Sequence, residues 1–204
     1  MIDLYAAGTS NGMRARMALE ECGLPYTLHA VALDKGEHKT PQFLALNPNA
    51  QIPVIVDRDG PGGKPLTLSQ STAILIYCAE KSGKYLPKDG AARAAMWQAL
   101  MSASTDITPM FGSVNAVVRA KEPHPPTAQL FKDRLRQYFK VWDERLAKQP
   151  YAAGSEVSIA DFSLFAGYMR TSGALPELLE GLPNLTRWAK EIGARPAMQR
   201  ALKF

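Results

Sequence analysis

The feature that most constrains the fold is a change of texture at Gly83. Before it, short strand-like runs alternate with helix-like ones; after it, the β signals stop. Ile2–Ala6 reads as a strand. Asn11–Cys22 reads as a helix, because Ala15, Ala18, Leu19 and Cys22 recur at i, i+3, i+4 and i+7. Gly23 followed by Pro25 ends it. Thr27–Leu33 alternates as a strand. Thr40-Pro41 pairs a capping residue with proline at the first helical position, and Asn47-Pro48-Asn49 cuts that helix short. Val54–Asp57 is a strand, Asp59-Gly60-Pro61-Gly62-Gly63 a turn, Leu66–Leu68 a strand and Ser69–Lys81 a helix. The order β-α-β-α-β-β-α predicts a mixed sheet with helices packed on it.

The remainder reads as all-α. Ala91–Ala120 is one long helix, or two joined near Pro109. Glu122-Pro123-His124-Pro125-Pro126 is a rigid break. Thr127–Lys148 is a second long helix, with Leu130, Arg134, Tyr138, Val141, Trp142 and Leu146 marking an amphipathic face. Shorter helices follow from Ser158, from about Asn184 and after Pro196. In Val157-Ser158-Ile159-Ala160-Asp161-Phe162, Ser158 caps, Asp161 returns the bond, and Val157 staples onto Phe162. This places an α/β domain at 1–83 and an all-helical domain at 90–204, with the linker near Gly83–Gly90.

Composition excludes several classes. With 204 residues and 46% hydrophobic content, a sizeable core is within reach. No run of 18 or more apolar residues predicts a membrane span, and no secretory leader is evident. Cys22 and Cys78 make no disulfide framework and no CxxC pair, which fits a cytosolic protein. Both lie in apolar helical stretches and read as core thiols. The net charge of +5 is uneven: residues 1–83 carry 7 Lys+Arg against 8 Asp+Glu, residues 84–204 carry 17 against 11. The basic charges are interspersed with acids, as on a solvated helical surface. No nucleic-acid-binding motif is present.

Three segments carry chemistry. Gly8-Thr9-Ser10-Asn11-Gly12 joins a strand to a helix start. Unpaired N–H groups and the helix dipole favour an anion there, and the hydroxyl and amide side chains add donors. A thiolate held at this point would be stabilised, yet the turn itself carries no thiol, so the sulfur would come with a ligand. The bland alternative is that Thr9, Ser10 and Asn11 only cap the helix. Asn49-Ala50-Gln51-Ile52-Pro53-Val54 sets a proline at the head of a strand, where its missing N–H is tolerated. Ser69-Gln70-Ser71-Thr72 opens another helix, a second anion site suited to a carboxylate, or a start capped by Ser69.

Together these pieces resemble the cytosolic glutathione transferases, over the whole chain. The resemblance rests on the β-α-β-α-β-β-α half, Asn47-Pro48-Asn49 before Ile52-Pro53, the Gln70-Ser71-Thr72-Ala73-Ile74-Leu75 segment and the all-helical half. It implies a thioredoxin-like first domain with a cis Ile52–Pro53 bond and glutathione lying across that loop. The γ-glutamyl carboxylate is then expected at Gln70 and Ser71, and the sulfur at the hydroxyl turn. The helical domain is expected to carry the electrophile pocket. Within the family the turn looks most like a bacterial, Nu-class-like branch with a Thr-x-Asn thiolate turn, matched by Thr9 and Asn11. Two departures stand out: Gln70 occupies a position usually held by Glu, and Ser10 one usually held by proline. Serine near this point is the thiolate donor in other branches, so Thr9, Ser10 and Asn11 all remain candidates.

His38 and Gln51 match positions where relatives contact the glycyl carboxylate or backbone of glutathione. Asp106 matches an aspartate that reaches the partner subunit's γ-glutamyl amino group, or else is a helix-surface carboxylate. Met101, Met110, Phe111 and Tyr168 line an acceptor pocket or pack in the core. The resemblance implies a homodimer that takes glutathione as co-substrate, without metal, and conjugates it to a small hydrophobic electrophile. Glutathione-dependent disulfide or peroxide reduction on the same site is the second reading, and a non-catalytic glutathione-binding module the third.

Overall fold

The computed structural model describes residues 1–204 and divides into two compact units, Met1–Tyr85 with Arg195–Phe204, and Leu86–Ala194. The first unit holds β1 (Ile2–Ala6), α1 (Ser10–Cys22), β2 (Tyr26–Ala30), α2 (Pro41–Leu46), β3 (Val54–Asp57), β4 (Leu66–Ser69) and α3 (Ser71–Ser82). The sheet order is β2-β1-β3-β4; β1 pairs parallel with β2 and antiparallel with β3, which pairs antiparallel with β4. This is the mixed sheet predicted from the alternating pattern. β2 differs from its predicted range: it ends at Ala30, and the chain then turns into a short 3-10 segment, Glu37–Lys39.

Local signals set the element ends. Thr9 and Thr40 cap α1 and α2 through their hydroxyls, with Pro41 at the first position of α2. Gly23 and Gly83 close α1 and α3 in the left-handed conformation. α1 packs against α3, and the predicted apolar face of α1 (Ala15, Ala18, Leu19, Cys22) is buried. Phe43 of α2 joins Val31 and Val54 in a small core flanked by Tyr5, Leu46 and Ile52.

The end of the predicted 90–204 domain, Arg195–Phe204, packs by its contacts with the first unit. Its helix α9 (Pro196–Ala201) packs on α1, burying Met198 and Ala201. Arg195 pairs with the buried Glu21 at 2.6 Å and Arg200 with Glu20 at 2.7 Å. Arg16 reaches the Lys203 carbonyl and lies 5.0 Å from the Phe204 ring centroid.

The second unit is helical: α4 (Gly90–Met101), a π-helical segment Ser102–Ile107, α5 (Thr108–Val118), α6 (Pro125–Leu146), α7 (Ile159–Ala174) and α8 (Pro183–Gly193). The break in the predicted Ala91–Ala120 helix is therefore that π segment ahead of Pro109. α7 is buried on every side from Ile159 to Gly167, as befits a central helix. The buried face of α6 is Leu135, Phe139, Trp142 and Leu146. The predicted face is corrected in part: Leu130 is 65% exposed and Val141 37%, because the stripe that meets α5 and α8 runs through Leu135 and Phe139 instead.

Candidate functional site

The site grows from the end of β1. The Ala7 carbonyl accepts the Thr9 N–H at 2.7 Å, and Thr9 is extended, at φ −99° and ψ 164°. Its Oγ1 accepts the Gly12 N–H at 3.1 Å. That bond uses a lone pair, so the hydroxyl proton is left to donate. Ser10 begins α1, and its hydroxyl makes no hydrogen bond within the chain. Asn11 follows, half-buried, with its side-chain oxygen facing inward.

What that oxygen faces is Arg14. Its NH1 donates to Asn11 Oδ1 at 2.9 Å and to Ser71 Oγ at 2.7 Å. Ser71 Oγ in turn lies 3.4 Å from Asn11 Oδ1, to which it donates. Arg14 is 1% exposed, and burial brings its guanidinium down to about 10, still cationic at neutral pH. The two helix starts singled out in the sequence are thus joined by direct bonds.

At the second start, Gln70 rather than Ser69 occupies the cap position. Gln70 has φ 71° and ψ 110°, and no side chain caps α3, so the alternative of a start capped by Ser69 does not hold. Ser71 is buried, and its hydroxyl serves Arg14 and Asn11. At any helix start, unpaired backbone N–H groups and the dipole favour an anion.

The third segment is set by Asn47. Buried, it donates from Nδ2 to the Gln51 carbonyl at 2.7 Å and accepts the Asn49 N–H at 3.2 Å. The Ile52–Pro53 bond is cis. Gln51 is exposed, Pro53 is buried, and the backbone N–H and C=O of Ile52 find no partner in the chain. His38 sits half-buried in the 3-10 segment, and its buried Nδ1 makes no hydrogen bond. No bond ties His38 to the turn or to Ser71.

Asp106 lies in the π-helical segment of the second unit, half-buried and without a hydrogen bond or ion pair in the chain. Met101 is 40% exposed, whereas Phe111 is buried beneath Arg170, 5.9 Å from its ring centroid. Tyr168 packs edge-on to Trp188. Cys22 and Cys78 are buried, and burial pushes both thiols up, away from nucleophilic chemistry. No group of three or more His, Cys, Asp or Glu is placed to hold a metal ion, and no helix is long and apolar enough to cross a membrane. A cavity of about 380 Å³ beside β2 and α2, lined by Tyr5, His29, Glu37, Thr40 and Phe43 among others, involves none of the predicted site residues.

Sequence reasoning missed Arg14 and the holding role of Asn47. Arg14 carried a signal: it sits four residues before Ala18 and directly before Ala15, on the edge of the apolar stripe.

Comparison with known proteins identifies the family. Residues 10–81 match the glutathione S-transferase N-terminal domain, and residues 111–203 the C-terminal domain. The chain is 36% identical over 204 residues to the disulfide-bond oxidoreductase YfcG of Escherichia coli, covering 99% of this chain and 94% of that protein. A glutathione transferase family member from Pseudomonas fluorescens, solved with two glutathione bound, superposes with a TM-score of 0.94 at 34% identity, over 99% of this chain and 92% of that one. One from Pseudomonas putida, with one glutathione disulfide bound per subunit, gives 0.93 at 34%, over 100% and 91%. The chain belongs to the glutathione S-transferase family.

Proposed function

We propose that the protein binds glutathione in its first unit, activates it as thiolate at the Thr9–Asn11 turn and transfers it to a small electrophile. The observation that carries this reading is the pair of helix starts joined through Asn11, Arg14 and Ser71, with no cysteine in the turn. The thiol proton leaves to solvent and the sulfur stays as the anion. It then bonds to the electrophilic carbon, which expels its leaving group or takes up a proton. Thr9 Oγ, Ser10 Oγ and Asn11 Nδ2 are the sulfur's donors. The Ile52 backbone, before Pro53, pairs with the peptide, Gln51 and His38 serve its glycyl end, and the Gln70-Ser71 start takes the γ-glutamyl carboxylate. Asp106 reaches the γ-glutamyl amino group of the partner subunit, and the helical unit carries the electrophile pocket. The protein is assigned to the cytoplasm and to the bacterial branch with the Thr-x-Asn turn.

A second reading, disulfide reduction, is favoured by the name of the Escherichia coli relative and by the relatives holding two glutathiones or glutathione disulfide. In that chemistry the thiolate attacks one sulfur of a disulfide and releases a thiolate. A second glutathione then attacks the mixed disulfide, freeing the other thiol and leaving glutathione disulfide. Turnover of a chlorinated aromatic electrophile and of a small disulfide, assayed side by side with glutathione, separates the two. Turnover of neither, with glutathione still bound, leaves a binding module.

The donors are separable by titration. Each of Thr9→Ala, Ser10→Ala and Asn11→Ala removes one donor to a charged acceptor, worth ~1.5–3 kcal/mol, so the bound thiol's midpoint should rise by about one to two pH units. Thiolate absorbance followed against pH reads the shift. Three unmoved midpoints would reduce the turn to a helix cap.

The protein is expected to be a homodimer, the slightly acidic first half of one subunit docking on the basic helices of the other. Sedimentation should give a mass about twice the 22.3 kDa of one chain; a monomer mass at micromolar concentration overturns this.

A further inference from the structure

We propose that Arg14 is a positioning residue: it grips the Asn11 amide by its oxygen, so that the amide nitrogen is turned out as a donor to the sulfur of glutathione. This rests on the reading of the turn as the thiolate site and names what orients one of its donors.

A guanidinium has donors only, so any group it contacts must present an acceptor. Arg14 NH1 meets Asn11 Oδ1 at 2.9 Å and Ser71 Oγ at 2.7 Å. Having accepted from Arg14, Ser71 Oγ has one proton, and the acceptor 3.4 Å away is the same Oδ1. Two donors therefore converge on one amide oxygen. Rotating the amide by half a turn would set its NH2 against a buried cation and a hydroxyl proton. The orientation is locked through the oxygen, and the amide nitrogen makes no hydrogen bond in the chain.

The cost of burying a cation is informative. Arg14 is 1% exposed, and desolvating a charge is expensive. A neutral side chain would knit α1 to α3 with less penalty. What the guanidinium adds is charge behind two helix starts, where its field supplements both dipoles in a low-dielectric setting. A thiolate at the turn and a carboxylate at Ser71 are both stabilised by it. A merely structural arginine would affect folding and leave the thiol's acidity alone, and this difference is what the experiment reads.

Arg14→Met and Arg14→Lys, in the full chain with glutathione, are titrated by thiolate absorbance and compared by thermal melting. For Arg14→Met the midpoint should rise by about one pH unit, a tenfold loss of thiolate at a fixed pH below it. Arg14→Lys keeps the charge and should recover part of the shift. In an Asn11→Ala background, Arg14→Met should add less than it does alone. An Arg14→Met protein that melts earlier but keeps the parent's midpoint overturns the proposal. If that variant fails to fold, the parent decides: its Asn11 side-chain amide, assigned in the nitrogen-15 spectrum by its loss in Asn11→Ala, should shift when glutathione binds, and an unmoved signal overturns the proposal. A parent that binds no glutathione, or binds it without a thiolate band, overturns the thiolate reading itself as well.

Discussion

Replacing Asp161 by Ala should destabilise the protein by about 3 kcal/mol, a drop of roughly 6–12 °C in melting temperature for a chain of this size. Asp161 is fully buried at the start of α7. Its Oδ1 accepts the Ala152 N–H and the Trp188 indole N–H, both at 2.8 Å. Its Oδ2 accepts the Ser158 N–H at 2.9 Å and the Ser158 hydroxyl at 3.2 Å. Alanine leaves these donors buried without partners, and the helix loses half of its capping box. Asp161→Asn should recover only part of the loss, since its NH2 would confront donors in place of one oxygen. Circular dichroism melts of the three proteins check this. An Asp161→Ala protein melting within 2 °C of the parent would sink the account.

The same residue shows what could be read ahead of the structure. The Ser158–Asp161 exchange is local, three residues apart, so its pattern lies along the chain. The same holds for Thr40-Pro41 and for Gly23 and Gly83. The Trp188 indole bond to Asp161 spans 27 residues, and no periodicity announces it. The candidate site divides in the same way. The turn and the Ser71 start were visible as helix starts, but Arg14 bridges to Ser71 across 57 residues. An arginine beside an apolar stripe ordinarily reads as a solvated edge, because desolvation opposes burying it. Only the meeting of α1 with α3, which supplies oxygens at both sides, makes its burial tolerable. The return of the C-terminal segment to α1 is hidden for a related reason: helical pattern locates α9, but the ion pairs that hold it there join residues more than 170 apart in sequence. On α6, both candidate stripes share Trp142 and Leu146, so sequence alone could not decide how the helix is rotated.

Gly12→Ala should do the greatest damage to the site itself. A Cβ built on Gly12 would lie 2.0 Å from the Ala7 carbonyl oxygen and 3.1 Å from its carbon. These are backbone atoms at the end of β1, so no side-chain rotation relieves the clash, and α1 or the strand end must shift. Overpacking of this kind costs about 1–3 kcal/mol, occasionally more. The displaced carbonyl is the one that accepts the Thr9 N–H, and Gly12's own N–H is the donor to Thr9 Oγ1. Both bonds that fix the threonine therefore move together. Positioned donors lose most of their effect when displaced by about 1 Å, so glutathione activation should fail more severely than folding does. Thermal melting should show a protein that still folds, with a melting point lower by several degrees. Thiolate absorbance should show the bound thiol moving toward the ~8.5 of a free cysteine. The comparison with Thr9→Ala separates the causes: that variant removes one hydroxyl and leaves the backbone turn in place, so its shift should be the smaller. If Gly12→Ala titrates like the parent, the turn tolerates rearrangement, and the thiolate does not depend on the contact between the end of β1 and the start of α1.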